Sequence, residues 1–129
     1  MRWCVDYRAL NAITRKDVFP LPIIDECIDS LIGNTWFSKL GANSAYFEIK
    51  VNEKDKSKTA FITKYGIYQF VKMPFGLCNA SSTFSRVISL VLRGLNWKTV
   101  LAFLDDILVL GNTFRSHTEN LLYTYFAYF

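Results

Sequence analysis

Cysteine is scarce and badly spaced for a metal knuckle or a disulfide scaffold. There are three in 129 residues, Cys4, Cys27 and Cys78, far apart and with no CxxC pair. Thiols of this kind fit an intracellular protein kept reduced, with cytoplasm and nucleus equally open. Long apolar runs are also missing, so no segment reads as a membrane span. The start carries Arg2, Asp6 and Arg8 instead of an apolar stretch, which is no signal peptide. No repeat, low-complexity tract or Gly/Ser linker divides the chain.

What is present is a ring-rich core. Hydrophobic residues make up 51% and aromatics 16%, with eleven Phe and seven Tyr. That argues against a disordered tail and for one domain or part of one. A net charge of +4 permits a polyanionic partner without establishing one.

The patterning predicts a strand over 3–8, with Trp3, Val5 and Tyr7 on one face. Strand-like sequence this close to Met1 reads as truncation of a larger protein. Pro20 and Pro22 punctuate. Ile24, Cys27, Ile28, Leu31 and Ile32 follow at helical spacing, closed by Gly33. A buried strand is expected over 36–40, and a hairpin over 59–63 and 67–71 turning at Lys64-Tyr65-Gly66. Asn79 can cap a long helix with the stripe Phe84, Val87, Ile88, Val91 and Leu95, loosening at Gly94. Two apolar strands, 100–104 and 107–110, are separated only by Asp105-Asp106, and helix is expected after Gly111-Asn112. The sum is an α+β arrangement, with helices packed against one mostly antiparallel sheet.

Three segments carry chemistry. In Phe103-Leu104-Asp105-Asp106-Ile107-Leu108, two carboxylates share a tight turn between buried strands. Adjacent like charges repel unless water or a cation relieves them, and a hard cation such as Mg²⁺ suits carboxylate oxygens. A plain hairpin turn is the other reading, since Asp is common in turns. In the run from Met73 to Ala80, Pro74 and Gly76 fix a bend that could bring backbone close to a flat ligand, or could simply join strand to helix. In the run from Trp36 to Phe47, a strand enters a turn of small residues whose N–H groups could hold phosphate. Core packing by Trp36, Phe37, Tyr46 and Phe47 is the alternative.

Taken in order, CVDYRALN, WFSKLGANSAYF, MPFGLCNASSTF and FLDDILV resemble the reverse transcriptases of gypsy-type LTR retrotransposons over roughly residues 1–120. The resemblance implies a right-handed polymerase palm with part of the fingers. Residues 1–35 would be a fingers remnant, 36–112 the palm core with an intervening fingers segment, and 113–129 a divergent tail. Thumb and RNase H elements lie outside this sequence. The implied activity is RNA-directed DNA polymerisation, a nucleotidyl transfer from a deoxynucleoside triphosphate to a primer 3′-hydroxyl. Two Mg²⁺ ions would serve it, on an RNA or DNA template, with the rest of a Pol polyprotein as partner. By the same resemblance, Asp105 and Asp106 would be the catalytic metal ligands. Tyr46 would exclude a ribose 2′-hydroxyl, and the backbone at Ser44 and Ala45 would cradle triphosphate. Arg2 would grip that triphosphate, and Phe75 and Gly76 would line the nucleotide pocket.

One departure decides what to expect of activity. Gly41 stands where the family has a metal-binding Asp, and neither Asp6 nor Glu48 is placed to substitute for it. The sequence therefore predicts a domain that is polymerase by descent and inactive at present. A nucleic-acid-binding remnant, or a retroelement product with no selected role, is the alternative. Lesser departures are Ser81, where the family usually has proline, and the uncharged 121–129 end, whose β-propensity suggests aggregation. Most of Lys50, Lys54, Lys56, Lys58 and Lys64 read as a solvated face, His117 as a helix-surface or capping residue, Cys78 as a small hydrophobe, and Trp3 and Trp97 as packing residues.

Overall fold

The structure, a computed structural model, describes residues 4–20, 22–41, 45–104 and 106–128. Trp3 lies outside them. The chain divides into two compact units, Met1–Val18 with Ser44–Phe84, and Phe19–Asn43 with Ser85–Phe129.

In the first unit the expected opening strand is not formed. Residues 4–7 are irregular and helix α1 runs Arg8–Ile13. Local polar chemistry overrides the alternation. The Asp6 carboxylate accepts from the Arg8 backbone N–H and from its guanidinium, which turns the chain into the helix. Tyr7 is buried, and its hydroxyl donates to the Thr59 carbonyl at 3.0 Å. Two 3-10 helices follow, Ala45–Glu48 and Glu53–Thr59. Asn52 caps the second by accepting from the Lys54 N–H, while Lys56 and Lys58 pair with Glu53 and Asp55.

The expected hairpin exists but is shorter. Strand β2 is Phe61–Thr63 and β3 is Gly66–Tyr68, antiparallel. Thr59 is drawn out of the strand because it ends the 3-10 helix and its hydroxyl accepts from the Phe70 N–H at 2.9 Å. Helix α3, Ala80–Val91, carries the chain into the second unit. Ala80 and Phe84 are buried in the first unit, Ile88 and the following Leu92 in the second. Val91, expected on the buried stripe, is instead 38% exposed. The buried stripe runs strictly at i+4, and Leu92 takes the position that Val91 was expected to fill.

The second unit opens with α2, Ile24–Asp29, and leaves its last turn at Gly33, whose φ of +84° suits glycine. Strands β1 (Trp36–Gly41), β4 (Val100–Phe103) and β5 (Asp106–Gly111) form an antiparallel sheet in the order β1-β5-β4. With the β2–β3 ribbon this makes two sheets in place of the one expected. The α+β class holds. Val100, Leu101, Ile107, Val109 and Leu110 form the core, but Trp36 and Phe37 are about half exposed, so β1 is less buried than expected.

Helix α4, Phe114–Tyr128, closes the unit. Its end is helical, although Leu122, Tyr123, Tyr125 and Phe126 are exposed. His117 is buried, not superficial: its Nε2 lies 2.8 Å from the Ser38 hydroxyl. A Cβ on Gly111 would lie 2.5 Å from the His117 Cβ, so only glycine permits this approach of α4 to β5. Trp97 is 44% exposed at φ +67°, less packed than expected, because its place in a left-handed turn leaves the ring only partly covered. Cys78 is exposed, not a packed hydrophobe, in a loop held by its backbone.

Candidate functional site

The carboxylate half belongs to the second unit. Strands β4 and β5 pair through Phe103 and Asp106, and Leu104 lies in the short turn that follows β4. Turns this short favour positive φ, and Leu104 adopts +52°, a conformation leucine disfavours by about 1 kcal/mol or more. The antiparallel pairing of β4 with β5 on either side holds it there. Across the sheet Asp106 pairs directly with Gly41, and Lys39 pairs with Leu108. Side chains at 39, 41, 106 and 108 therefore share one face. On that face the Lys39 ammonium lies 2.8 Å from Asp106 Oδ2. A Cβ built on Gly41 would lie 3.8 Å from Asp106 Oδ1, an ordinary contact. Asp105 lies outside the described residues. Among the described residues, no three His, Cys, Asp or Glu side chains gather in a metal-holding group.

Beside this face is an apolar cleft of about 370 Å³. Ile24, Cys27, Ile28 and Leu31 of the α2 segment line it with Leu101 and Leu108. Burial there, with the Glu26 charge adding to it, pushes the Cys27 thiol above its ordinary range.

The nucleotide half of the expectation falls in the first unit. Ala45 opens the 3-10 helix that carries Tyr46. The Tyr46 ring meets Phe75 and Phe84 edge-on, at centroid distances of 5.3 and 5.9 Å. Its hydroxyl lies 3.0 Å from the Ser81 hydroxyl, a contact that proline could not make. Phe47 adds a second edge-on contact to Phe75. Gly76 has φ +94°, and a Cβ there would still meet only ordinary contacts, so conformation rather than space demands glycine.

The bend is tied down by Asn11. Its amide donates to the Gly76 carbonyl at 2.7 Å and accepts from the Cys78 N–H at 2.9 Å. Asn79 does not cap α3 with its side chain as expected. That amide is spent on the Asp17 N–H and the Arg15 carbonyl, which fastens the loop to the segment after α1.

Tyr46, Phe75 and Gly76 are thus gathered in one unit, and Asp106 stands beside Gly41 in the other. Arg2 and Ser44 lie outside the described residues. Sequence reasoning missed Lys39 and Asn11, and read Ser81 only as a departure from proline, not as a partner of Tyr46. The period of two on β1 could have flagged Lys39 as sharing a face with position 41. Nothing local marks Asn11, whose partners are more than sixty residues away.

A family model described as reverse transcriptase (RNA-dependent DNA polymerase) matches residues 1–129. The chain belongs to the reverse transcriptase family. This reverse transcriptase domain is 38% identical over 124 residues to an RNA-directed DNA polymerase homolog of Oenothera berteroana, covering 94% of the chain and 87% of that relative. It is 38% identical over 120 residues to the retrovirus-related Pol polyprotein of transposon 297 of Drosophila melanogaster, covering 93% of the chain. It spans only 11% of that polyprotein. In fold, it superimposes on a foamy viral protease-reverse transcriptase solved with double-stranded DNA at a TM-score of 0.86 and 17% identity, over 98% of this chain and 22% of that one. A foamy viral protease-reverse transcriptase solved with an RNA/DNA hybrid gives a TM-score of 0.83 at 17% identity, over 95% of this chain and 16% of that one. The reverse transcriptase fold is therefore that of a partial palm and fingers in an LTR-retrotransposon lineage. No helix among its described residues is long and apolar enough to cross a membrane.

Proposed function

We propose that this domain descends from an RNA-directed DNA polymerase that adds deoxynucleotides to a primer 3′-hydroxyl on an RNA or DNA template, and that it no longer catalyses the step. The observation that carries this is the cross-strand pair Gly41–Asp106, with the Gly41 Cβ direction 3.8 Å from an Asp106 carboxylate oxygen. A carboxylate at 41 would reach the same space as Asp106, where glycine offers no oxygen.

The inherited reaction calls for two Mg²⁺ ions on clustered hard donors. The donors at this site do not fit that requirement, because position 41 contributes nothing and Asp106 is already paired with Lys39. Asp105 is assigned as the remaining principal ligand. The nucleotide side is assigned to Arg2, the backbone of Ser44 and Ala45, the Tyr46 gate, and Phe75 with Gly76. Residues 1–35 are assigned to the fingers, 36–112 to the palm with a fingers insertion, and 113–129 to a divergent tail.

A nucleic-acid-binding remnant is the second reading, but the basic stretch gives it little support. Lys56 and Lys58 are held by Glu53 and Asp55, and Lys64 lies over the Tyr65 ring.

The test exchanges this chain for the matching segment of the transposon 297 polyprotein and measures primer extension. Loss of one bridging ligand corresponds to about a thousandfold in rate, roughly 4 kcal/mol. Negligible extension is expected, rising by about that factor with Gly41→Asp. Equal extension with and without the substitution would refute the proposal.

A further inference from the structure

Resting on the reading of Gly41 as a vacated ligand position, we infer that Lys39 is a built-in counter-ion that competes with a divalent cation for the Asp106 carboxylate. The geometry is specific. Lys39 and Gly41 are two apart on β1 and share the face of Asp106, which stands directly opposite Gly41. The Lys39 ammonium reaches diagonally across the strands to Asp106 Oδ2 at 2.8 Å. The other oxygen, Oδ1, faces the open space above Gly41. One oxygen of the carboxylate is thus neutralised from within the chain, and the other points where the ligand is missing.

The surroundings fix the ammonium there without locking it. Lys39 lines the apolar cleft beside α2 and reaches from there to Asp106. Both partners are more than half exposed, 65% for Lys39 and 51% for Asp106, so water and salt screen the pair. An exposed pair of this kind is weak and reversible. A cation arriving at Asp106 must displace the ammonium, and its apparent affinity falls by the fraction of time the carboxylate is engaged.

The experiment measures Mn²⁺ affinity of the 129-residue chain by the electron paramagnetic resonance signal of the free ion. It is run on the native chain and on Gly41→Asp, each alone and combined with Lys39→Met, Lys39→Arg or Lys64→Met. Lys39→Met should tighten Mn²⁺ about threefold in both backgrounds, and the gain should shrink in 1 M salt. Lys39→Arg keeps a cation at the site and should give no gain. Lys64→Met removes a lysine from the other unit and should also give none. Unchanged or weaker binding in both Lys39→Met chains, no measurable Mn²⁺ binding in any of them, or an equal gain from Lys64→Met, would overturn the inference. Failure of Gly41→Asp by itself to tighten Mn²⁺ would count against the vacated-ligand reading and leave the Lys39→Met comparison to be judged separately.

Discussion

In the first unit, the residues assigned to the nucleotide are held by side chains that reach distant backbone. Asn11 grips Gly76 and Cys78, Asn79 grips Arg15 and Asp17, and Tyr7 reaches Thr59. In the second unit, Asp106 is held by a regular backbone ladder and by close packing of α4 on β5 at Gly111. The first arrangement depends on many particular polar side chains. The second tolerates the exchange of one side chain on an exposed face, because the ladder is made of backbone. Such a ladder keeps its register with glycine at position 41. Fold and chemistry rest on different atoms there.

Three perturbations sharpen the contrast. The largest effect should come from Gly111→Ala. A methyl group 2.5 Å from the His117 Cβ cannot be absorbed by a rotamer change, so α4 must move. Overpacking of this kind costs about 1–3 kcal/mol, to be read as a lowered thermal midpoint with loss of the Ser38–His117 contact. An unchanged midpoint would mean that α4 is not packed as described. Next is Asn11→Ala, which strips two bonds from the bend at 76–78. A destabilisation of about 1 kcal/mol is expected, with faster hydrogen exchange at the Cys78 amide. Protection at Cys78 equal to that of the native chain would contradict the clamp.

The smallest effect concerns Asp6. The Arg8 guanidinium, helped by the Arg8 backbone N–H, holds its carboxyl at about 2 instead of the ordinary 3.8. A depressed carboxyl favours the folded chain above its unfolded value. Its contribution is therefore present above about pH 4 and is lost as pH falls through about 2. Carbon-detected titration should place the midpoint there, and Arg8→Ala should return it toward the ordinary value. Both side chains are well exposed, so the effect on stability should be slight. A native midpoint near 4 would show that the fork to Arg8 does not persist in solution.

Much of this was legible in the sequence, and the failures have physical causes. The β4–β5 hairpin and α3 were readable because apolar runs flank the turn of the one and recur at helical spacing in the other. The Asp105-Asp106 doublet and Gly41 stood out by their order among four motifs. The opening strand failed because Asp6, two residues from Arg8, offered a local hydrogen bond that alternation cannot register. His117 was misjudged because burial of one histidine depends on Gly111 leaving room for it, a tertiary fact. Lys39 was overlooked because an exposed lysine usually means only a wet surface, and its partner lies on the neighbouring strand, far away in sequence.

Catalytic competence turns on whether the side chains at the Gly41–Asp106 pair can assemble two cations. The most direct measurement is anomalous diffraction from crystals of the unaltered chain soaked in manganese. The prediction is that no fully occupied pair of ions appears beside residue 41. Two ordered ions there, at ligand distance from Asp105 and Asp106, would contradict it.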